Sequence, residues 1–459
     1  MSRNMISVIF SLAMVFLPLG SALAGESVGI EVGADCPVVR TGAREKREKI
    51  TARVLVKPFV REDTERAPLA VALVIDKSGS MGADDKMENA KIGAMEALGM
   101  LDARDKAAVI VYDSNAYILV KATGAGETEV FRRKIARVEA GGNTALYEGV
   151  VSGMSEISRF AHDGRALRVI LLSDGLANVG PSSVSEISVL GRRLSREEVA
   201  VTTIGLGLDY DEDLMTALAS ESGGNAYFAK NSRALADIFR RDMKDALSLT
   251  GRRVRVTFEC GGGVRPIRAI GREGRADGDI IEMEIDNLYG AEKYALFELE
   301  IPGGEDGAAL EAGTARVEYI DAYDGSSVTL SSSLEIRYSS DADFVEQSRD
   351  TDIAAQTAMA RNAEIREEAV KLADSGQAAA AAEMLKERSG YLKSIMPLLA
   401  APQSASIQGE ISDFEEMSEY IEENESMSNE QRKENINRAY AAKNQQSGGG
   451  PSDADADGD

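Results

Sequence analysis

The sequence predicts an α/β fold: a doubly wound, mostly parallel sheet with helices on both faces, flanked by a β-sandwich-like unit and a C-terminal helical hairpin. Three observations predict it. Short apolar runs bounded by polar or glycine residues recur at Leu69–Ile75, Ala107–Tyr112, Leu167–Leu172 and Val199–Leu206, the pattern of strands buried on both faces. Helical periodicity fills 84–101, 127–139, 144–160, 183–196, 211–222 and 231–247, so strands alternate with helices as in an open parallel sheet. From 251 the helical period gives way to alternating strands, and it returns at 342.

The elements follow in chain order. Arg3, the apolar run Met5 to Leu17 and the small-residue site Ala22-Leu23-Ala24 predict a signal peptide over 1–24. The run is shorter than the ~20 residues a membrane span needs, and it ends in Pro18 and Gly20. The expectation is a mature protein secreted to the periplasm or the exterior, without stable membrane insertion. Residues 26–66 hold two strand-like stretches, Val28–Val32 and Ile50–Val60. The α/β domain is expected over 68–248, with Asp84 and Ser182 as helix N-caps and Gly223-Gly224 as a stop.

Over 250–340 the strand-like runs are Arg253–Glu259, Asp279–Ile285, Ala295–Ile301, Ala315–Tyr319 and Leu334–Tyr338, divided by turns such as Gly261-Gly262-Gly263. They match the N-terminal strands in type, so those strands are expected to complete the same sandwich, with the α/β domain inserted between. Residues 342–399 read as two helices, 345–373 and 377–396, broken at Asp374-Ser375-Gly376. Residues 400–459 are acidic and end in SGGGPSDADADGD, and they are expected to be largely disordered.

Composition removes several functions. A net charge of −24 repels phosphate, which argues against nucleic acid as a partner. The chain has one histidine, His162, too few for most zinc sites or an H-E-x-x-H protease, and it would be the sole base for a serine triad. Two cysteines, Cys36 and Cys260, can form one bridge in an oxidising compartment; the alternative is two separate buried thiols.

The chemistry concentrates in three fragments. The apolar strand in VALVIDKSGSMG ends in Asp76, Ser78 and Ser80 at alternate positions. GGNTALYEG carries Thr144 at the opening of a helix, and ILLSDG ends a strand in Asp174. In an open parallel sheet the carboxyl ends of the strands face one crevice, so these loops should meet there. Two carboxylates and three hydroxyls make an oxygen-only set, which suits Mg²⁺, or Mn²⁺ or Ca²⁺, over zinc or copper. Such a set leaves a coordination position that a partner's Asp or Glu could fill.

With these fragments the chain resembles the von Willebrand factor type A family, whose metal-ion-dependent adhesion site has the pattern Asp76-x-Ser78-x-Ser80, Thr144 and Asp174. The resemblance covers roughly 68–248 and includes the IGLG strand, Ile204 to Gly207. It implies a Rossmann-like sheet in which Ser78, Ser80 and Thr144 bind metal directly and Asp76 and Asp174 bind it directly or through water. It also implies a binding module, not an enzyme, that captures a protein ligand through its carboxylate. The wider layout looks like secreted bacterial proteins that carry this domain. A structural or envelope-assembly role through the β and helical regions, with the metal only stabilising the fold, is the alternative.

Other readings of the same residues are weaker. A nucleophile elbow requires G-x-S-x-G, and here Ser78 stands where the first glycine should be. A phosphoaspartyl mechanism would want a second acid two residues after Asp76, where Ser78 stands. Asp209, Asp211 and Asp213 alternate like a calcium loop, but a helix cap is the simpler reading. Asp453, Asp455 and Asp457 match only the first half of an EF-hand loop and read as a solvated tail.

Overall fold

A computed structural model describes residues 27–59 and 66–446. The predicted signal peptide and the terminal Asp-rich run lie outside the described residues. The α/β unit is a six-stranded sheet in the order Ala116–Gly124, Lys106–Tyr112, Leu69–Asp76, Ala166–Ser173, Val199–Leu206, Ala226–Ala229. All neighbours are parallel except the edge strand Ala116–Gly124, which returns antiparallel to Lys106–Tyr112. Leu69–Asp76 is buried along its whole length, which is why its sequence shows a run and not an alternation.

Three helices cover each face. Lys86–Gly99, Thr128–Ile135 and Leu235–Leu247 pack with one set of strand side chains, Val71, Leu73 and Ile75 among them. Leu146–Ser158, Val184–Arg196 and Glu212–Ser222 pack with the other set, including Ala72, Val74 and Ile110. Glycine sets one approach: a Cβ on Gly149 would lie 2.8 Å from the Tyr112 ring, and one on Gly153 would lie 2.7 Å from Val74. The helix that follows Thr144 therefore lies directly on the sheet, and larger residues there would push it away.

Two helix starts differ from expectation by one residue. Ser183, not Ser182, caps its helix through a reciprocal box with Glu186. The helix after Asp76 begins at Lys86; Asp84 and Asp85 are both left-handed (φ 51° and 54°), and Asp85 makes no side-chain cap. Gly223 ends its helix in the left-handed conformation as expected. Asp211 caps the helix Glu212–Ser222 through the Leu214 amide (2.9 Å), and Asp213 meets Arg432 (2.6 Å), so this acidic loop has structural employment.

Two further sheets pack face to face. One has the order Val28–Ala34, Arg47–Pro58, Lys293–Pro302, Arg265–Ile270. The other runs Gly274–Asp277, Ile280–Leu288, Gly251–Cys260, Ala309–Asp321, Ser327–Ser339, Val38–Arg40. Each contains strands from before and after the α/β unit: Arg47–Pro58 pairs antiparallel with Lys293–Pro302, and Val38–Arg40 pairs parallel with Ser327–Ser339. Phe258 and Phe297 meet between the sheets in one apolar core.

Cys36 and Cys260 are both free thiols in this sandwich, so the bridge is absent. Cys36 accepts a hydrogen bond from Arg349 (3.2 Å), and Cys260 closes a strand opposite Gly313. Burial first, then Asp35 beside Cys36 and Asp279 beside Cys260, pushes each thiol up to about 12, which keeps both protonated.

The C-terminal region corrects the sequence reading most. The hairpin is Thr351–Asp374 and Ala378–Ile395, preceded by a short helix Ala342–Gln347. Residues 401–446, expected to be disordered, form two more helices, Ala401–Asn424 and Asn429–Asn444. Ile407, Ile411, Phe414 and Ile421 recur at helical spacing and bury against Leu385 and Leu392, while the acids occupy the outer faces. The last helix packs on Thr351–Asp374 and also reaches the other two units. Tyr440 donates to Gly224 O (2.8 Å) in the α/β unit, and Gln445 exchanges hydrogen bonds with the Tyr294 backbone (2.7 and 2.8 Å) in the sandwich.

The α/β unit and the sandwich are joined by a buried charge. Arg168, in the strand Ala166–Ser173, places its guanidinium fork on Asp242 and donates to Thr202 (3.1 Å) and Tyr289 (2.7 Å). Both charged groups are fully covered (2 % and 0 % exposed). Removing one partner strands the other charge in a dry interior. Asp242→Ala is therefore expected to cost about 3–5 kcal/mol in urea unfolding; a loss under ~1 kcal/mol would show that water reaches the pair.

Candidate metal centre

The central strand delivers Asp76 to the carboxyl edge of the sheet with its carboxylate fully buried. The Ser78 amide donates to Asp76 Oδ1 (2.8 Å), and Ser173 Oγ donates to Oδ2 (2.8 Å). Burial pushes this carboxyl up to about 6; the two hydrogen bonds pull it down, and the nearby Asp174 adds to the rise.

The chain after Asp76 is sewn to its neighbours. Lys77 N donates to Tyr112 O (2.8 Å), Gly141 N to Lys77 O (2.6 Å) and Gly79 N to Gly142 O (3.1 Å). A single 3₁₀ turn, Gly79–Gly82, then swings Ser80 back over the strand ends. Ser78 Oγ and Ser80 Oγ stand 3.1 Å apart, and Ser80 Oγ donates to Asp174 Oδ1 (2.7 Å). Asp174 follows the strand Ala166–Ser173, the immediate parallel neighbour of Leu69–Asp76, and it too is fully buried.

Thr144 arrives from the third loop. Gly142 turns the chain at φ 89°, Ala145 N donates to Asp113 O (2.6 Å), and Asn178 Oδ1 accepts the Thr144 amide (2.9 Å). A Cβ on Gly175 would sit 3.5 Å from Ser80 Oγ and 3.6 Å from Thr144 Oγ1. The two hydroxyls thus border one small gap that the glycine leaves clear. The structure brings all five sequence-predicted residues to this edge: Asp76, Ser78, Ser80 and Asp174 through hydrogen bonds, and Thr144 across Gly175.

Four participants escape motif reasoning. Ser173 and Asn178 orient Asp76 and Thr144, Lys77 pairs with Asp113 beneath the loop, and Lys86 Nζ donates to Asp174 Oδ2 (2.8 Å). Ser173 could have been suspected from its place before Asp174. Lys86 gives no such signal, because its reach depends on the bend at Asp84 and Asp85. His162 lies in the turn Ala161–Asp163 before Ala166, at the opposite end of that strand from Ser80.

The donor set fits a small hard cation. Each of the five sequence-predicted side chains offers oxygen, Lys86 is, among the described residues, the one cation that reaches them, and the gap beside Gly175 is bordered by hydroxyls. Among the described residues no group of three or more His, Cys, Asp or Glu converges, so two carboxylates need the hydroxyls to complete a shell.

Comparisons with known proteins agree with the fold of this unit. The family model described as von Willebrand factor type A domain matches residues 70–241. Uncharacterized protein sll0103 of Synechocystis is 28 % identical over 41 % of this chain and 44 % of that protein. Calcium-activated chloride channel regulator 1 of Bos taurus is 28 % identical over 39 % of this chain and 20 % of that protein. The chain thus spans under half the length of these curated relatives. Among solved structures, a von Willebrand factor type A protein from Catenulispora acidiphila superposes with a TM-score of 0.61 at 16 % identity, covering 80 % of this chain and 88 % of its own. The ArnB paralog VWA2 from Sulfolobus acidocaldarius gives 0.57 at 15 % identity over 91 % and 98 %. At such identities the likeness speaks for the fold. Sheet order, matched residues and these neighbours agree that residues 70–241 form a von Willebrand factor type A domain.

Proposed function

We propose that this protein is a secreted, metal-dependent binding module that captures a partner's Asp or Glu through a divalent cation, Mg²⁺ first among the candidates. Type A domains in general mediate protein interaction, and the observation that carries the finer reading is the meeting of five oxygen side chains at one sheet edge: Ser80 bonded to Asp174 and beside Ser78, Asp76 bonded to the Ser78 amide, and Thr144 across Gly175. Ser78, Ser80 and Thr144 would hold the cation directly, and Asp76 and Asp174 directly or through water. When bound, the ion supplies a positive centre with a position open to a ligand oxygen. The chain's part is to fix the hydroxyls, bury the two carboxylates and keep the site at an edge away from the sandwich. Secretion rests on the signal-peptide pattern of residues 1–24; no described helix is long and apolar enough to cross a membrane.

A structural role is the second reading, and the clamp made by the last helix favours it. Arg432 reaches Asp213 (2.6 Å) and Asp374 (2.9 Å), joining the α/β unit to the helical bundle. On that reading chelation lowers the melting temperature without releasing a partner.

The test is calorimetric titration with Mg²⁺, paired with capture from the native envelope with and without EDTA. Wild type is expected to bind Mg²⁺ and to retain its partner only without chelator. Asp76→Ala should lose both while keeping its circular dichroism spectrum. Capture that survives EDTA and the substitution would leave only the structural reading.

The acidity of Asp76 gives a second expectation. Its folded value, about 6, lies above the ordinary 3.8, so protonation favours the metal-free fold. In EDTA its contribution to stability is fully present below about 4 and lost as pH rises through about 6. Mg²⁺ needs the carboxylate, so its affinity should move oppositely and weaken as pH falls through about 6. Chemical denaturation and titration across pH 4.5–7.5 check both signs, and Asp76→Asn should flatten the first profile.

A further inference from the structure

We infer that Lys86 is an internal counter-ion of the cluster, occupying Asp174 when no divalent cation is bound and yielding the carboxylate when one enters. The inference rests on the metal-centre reading above and concerns what that reading leaves open: how two buried carboxylates remain tolerable without a metal.

Asp174 is fully buried, and both its oxygens are engaged, Oδ1 by Ser80 and Oδ2 by Lys86 Nζ at 2.8 Å. The Lys86 side chain is itself only 13 % exposed. A buried carboxylate without a counter-charge is costly, and Lys86 provides one full positive charge to Asp174. The ammonium therefore neutralises part of what a divalent cation would neutralise.

The backbone is bent to put it there. Lys86 is the first residue of its helix, where the helix dipole disfavours a cation. The two residues before it are non-glycine and left-handed, and the N-cap makes no side-chain bond. The bend is braced from outside: Ser232 Oγ donates to Asp84 O (3.1 Å), and Asn89 Nδ2 donates to Ser232 Oγ (2.9 Å) and Asp85 O (3.1 Å). Left-handed backbone, dipole and the missing cap all argue against this start. The bond to Asp174 is what the arrangement gains.

The same geometry makes the lysine removable. A divalent cation among the hydroxyls would stand within a few ångströms of the ammonium, and like charges at that range in a water-poor cleft repel strongly. The four-carbon stem lets Nζ swing outward without moving the helix. Gly207 borders it, since a Cβ there would lie 3.9 Å from Nζ, so the glycine leaves the lysine unobstructed on that side.

The test uses Mg²⁺ alone as the probe. Lys86→Met removes the charge at similar volume, and Lys86→Arg retains it. Calorimetry should give Lys86→Met a Kd for Mg²⁺ about tenfold or more below wild type, and Lys86→Arg a value near wild type. In EDTA, Lys86→Met should melt at a lower temperature than wild type, and saturating Mg²⁺ should restore it by a larger shift than wild type shows. Lys86→Gln, which keeps a donor for Asp174 without charge, replaces the Met variant if circular dichroism shows lost helix. Unchanged or weaker Mg²⁺ binding by a folded, neutral variant would overturn the inference while leaving the metal centre standing. Absence of Mg²⁺ binding in wild type and every variant would remove the metal centre itself, and this inference with it.

Discussion

Two carboxylates shielded from water, Asp76 and Asp174, stand at the ends of adjacent parallel strands, and the local structure is organised around making that tolerable. Each carboxylate is a charge in a place where charge is expensive. Asp76 answers with two hydrogen bonds and a weakened acidity, its pKa raised by burial. Asp174 answers with a hydroxyl and an ammonium. The loops that carry these partners are in turn held by backbone bonds to the neighbouring strand and to the Gly141–Gly142 turn. Buried negative charge of this kind is what the proposed cation would neutralise, and in this structure a lysine already neutralises part of it.

The rest of the architecture leaves the site's edge available and stiffens what lies behind it. Arg168 belongs to the same strand that delivers Asp174, but near its start, so the sandwich joins the sheet at the far end. The last helix grips the loop after Val199–Leu206, where Lys433 Nζ donates to Tyr210 O (2.6 Å) and Arg432 meets Asp213. That loop begins at Gly207, next to Lys86, so the helical bundle is mechanically close to the cluster. The three units share contacts and are not beads on a string.

The fold was legible where periodicity was pure. Four fully buried strands and the helices between them stand within a few residues of where apolar runs and helical spacing put them. The edge strand Ala116–Gly124 was not, because it exposes the consecutive apolar residues Tyr117 and Ile118 and its pattern is neither a run nor a clean alternation. The helices of 401–446 were hidden by charge: Glu-rich outer faces dominate the composition, while Ile407, Ile411 and Phe414 carry the packing. The five oxygen residues were legible because D-x-S-x-S, a helix-opening Thr and a strand-ending Asp each have a fixed place in a parallel sheet. Lys86, Ser173 and Asn178 act through tertiary reach alone, which spacing does not encode.

The central claim is that this oxygen cluster is a cation site, and crystals of the protein soaked in Mn²⁺ test it most directly. Mn²⁺ takes the same oxygen ligands as Mg²⁺ and scatters anomalously. The account predicts an anomalous peak within about 2.0–2.3 Å of the hydroxyls of Ser78, Ser80 and Thr144, with the Lys86 ammonium displaced from Asp174. A map with no peak there at saturating Mn²⁺, and with Lys86 still bonded to Asp174, would contradict it.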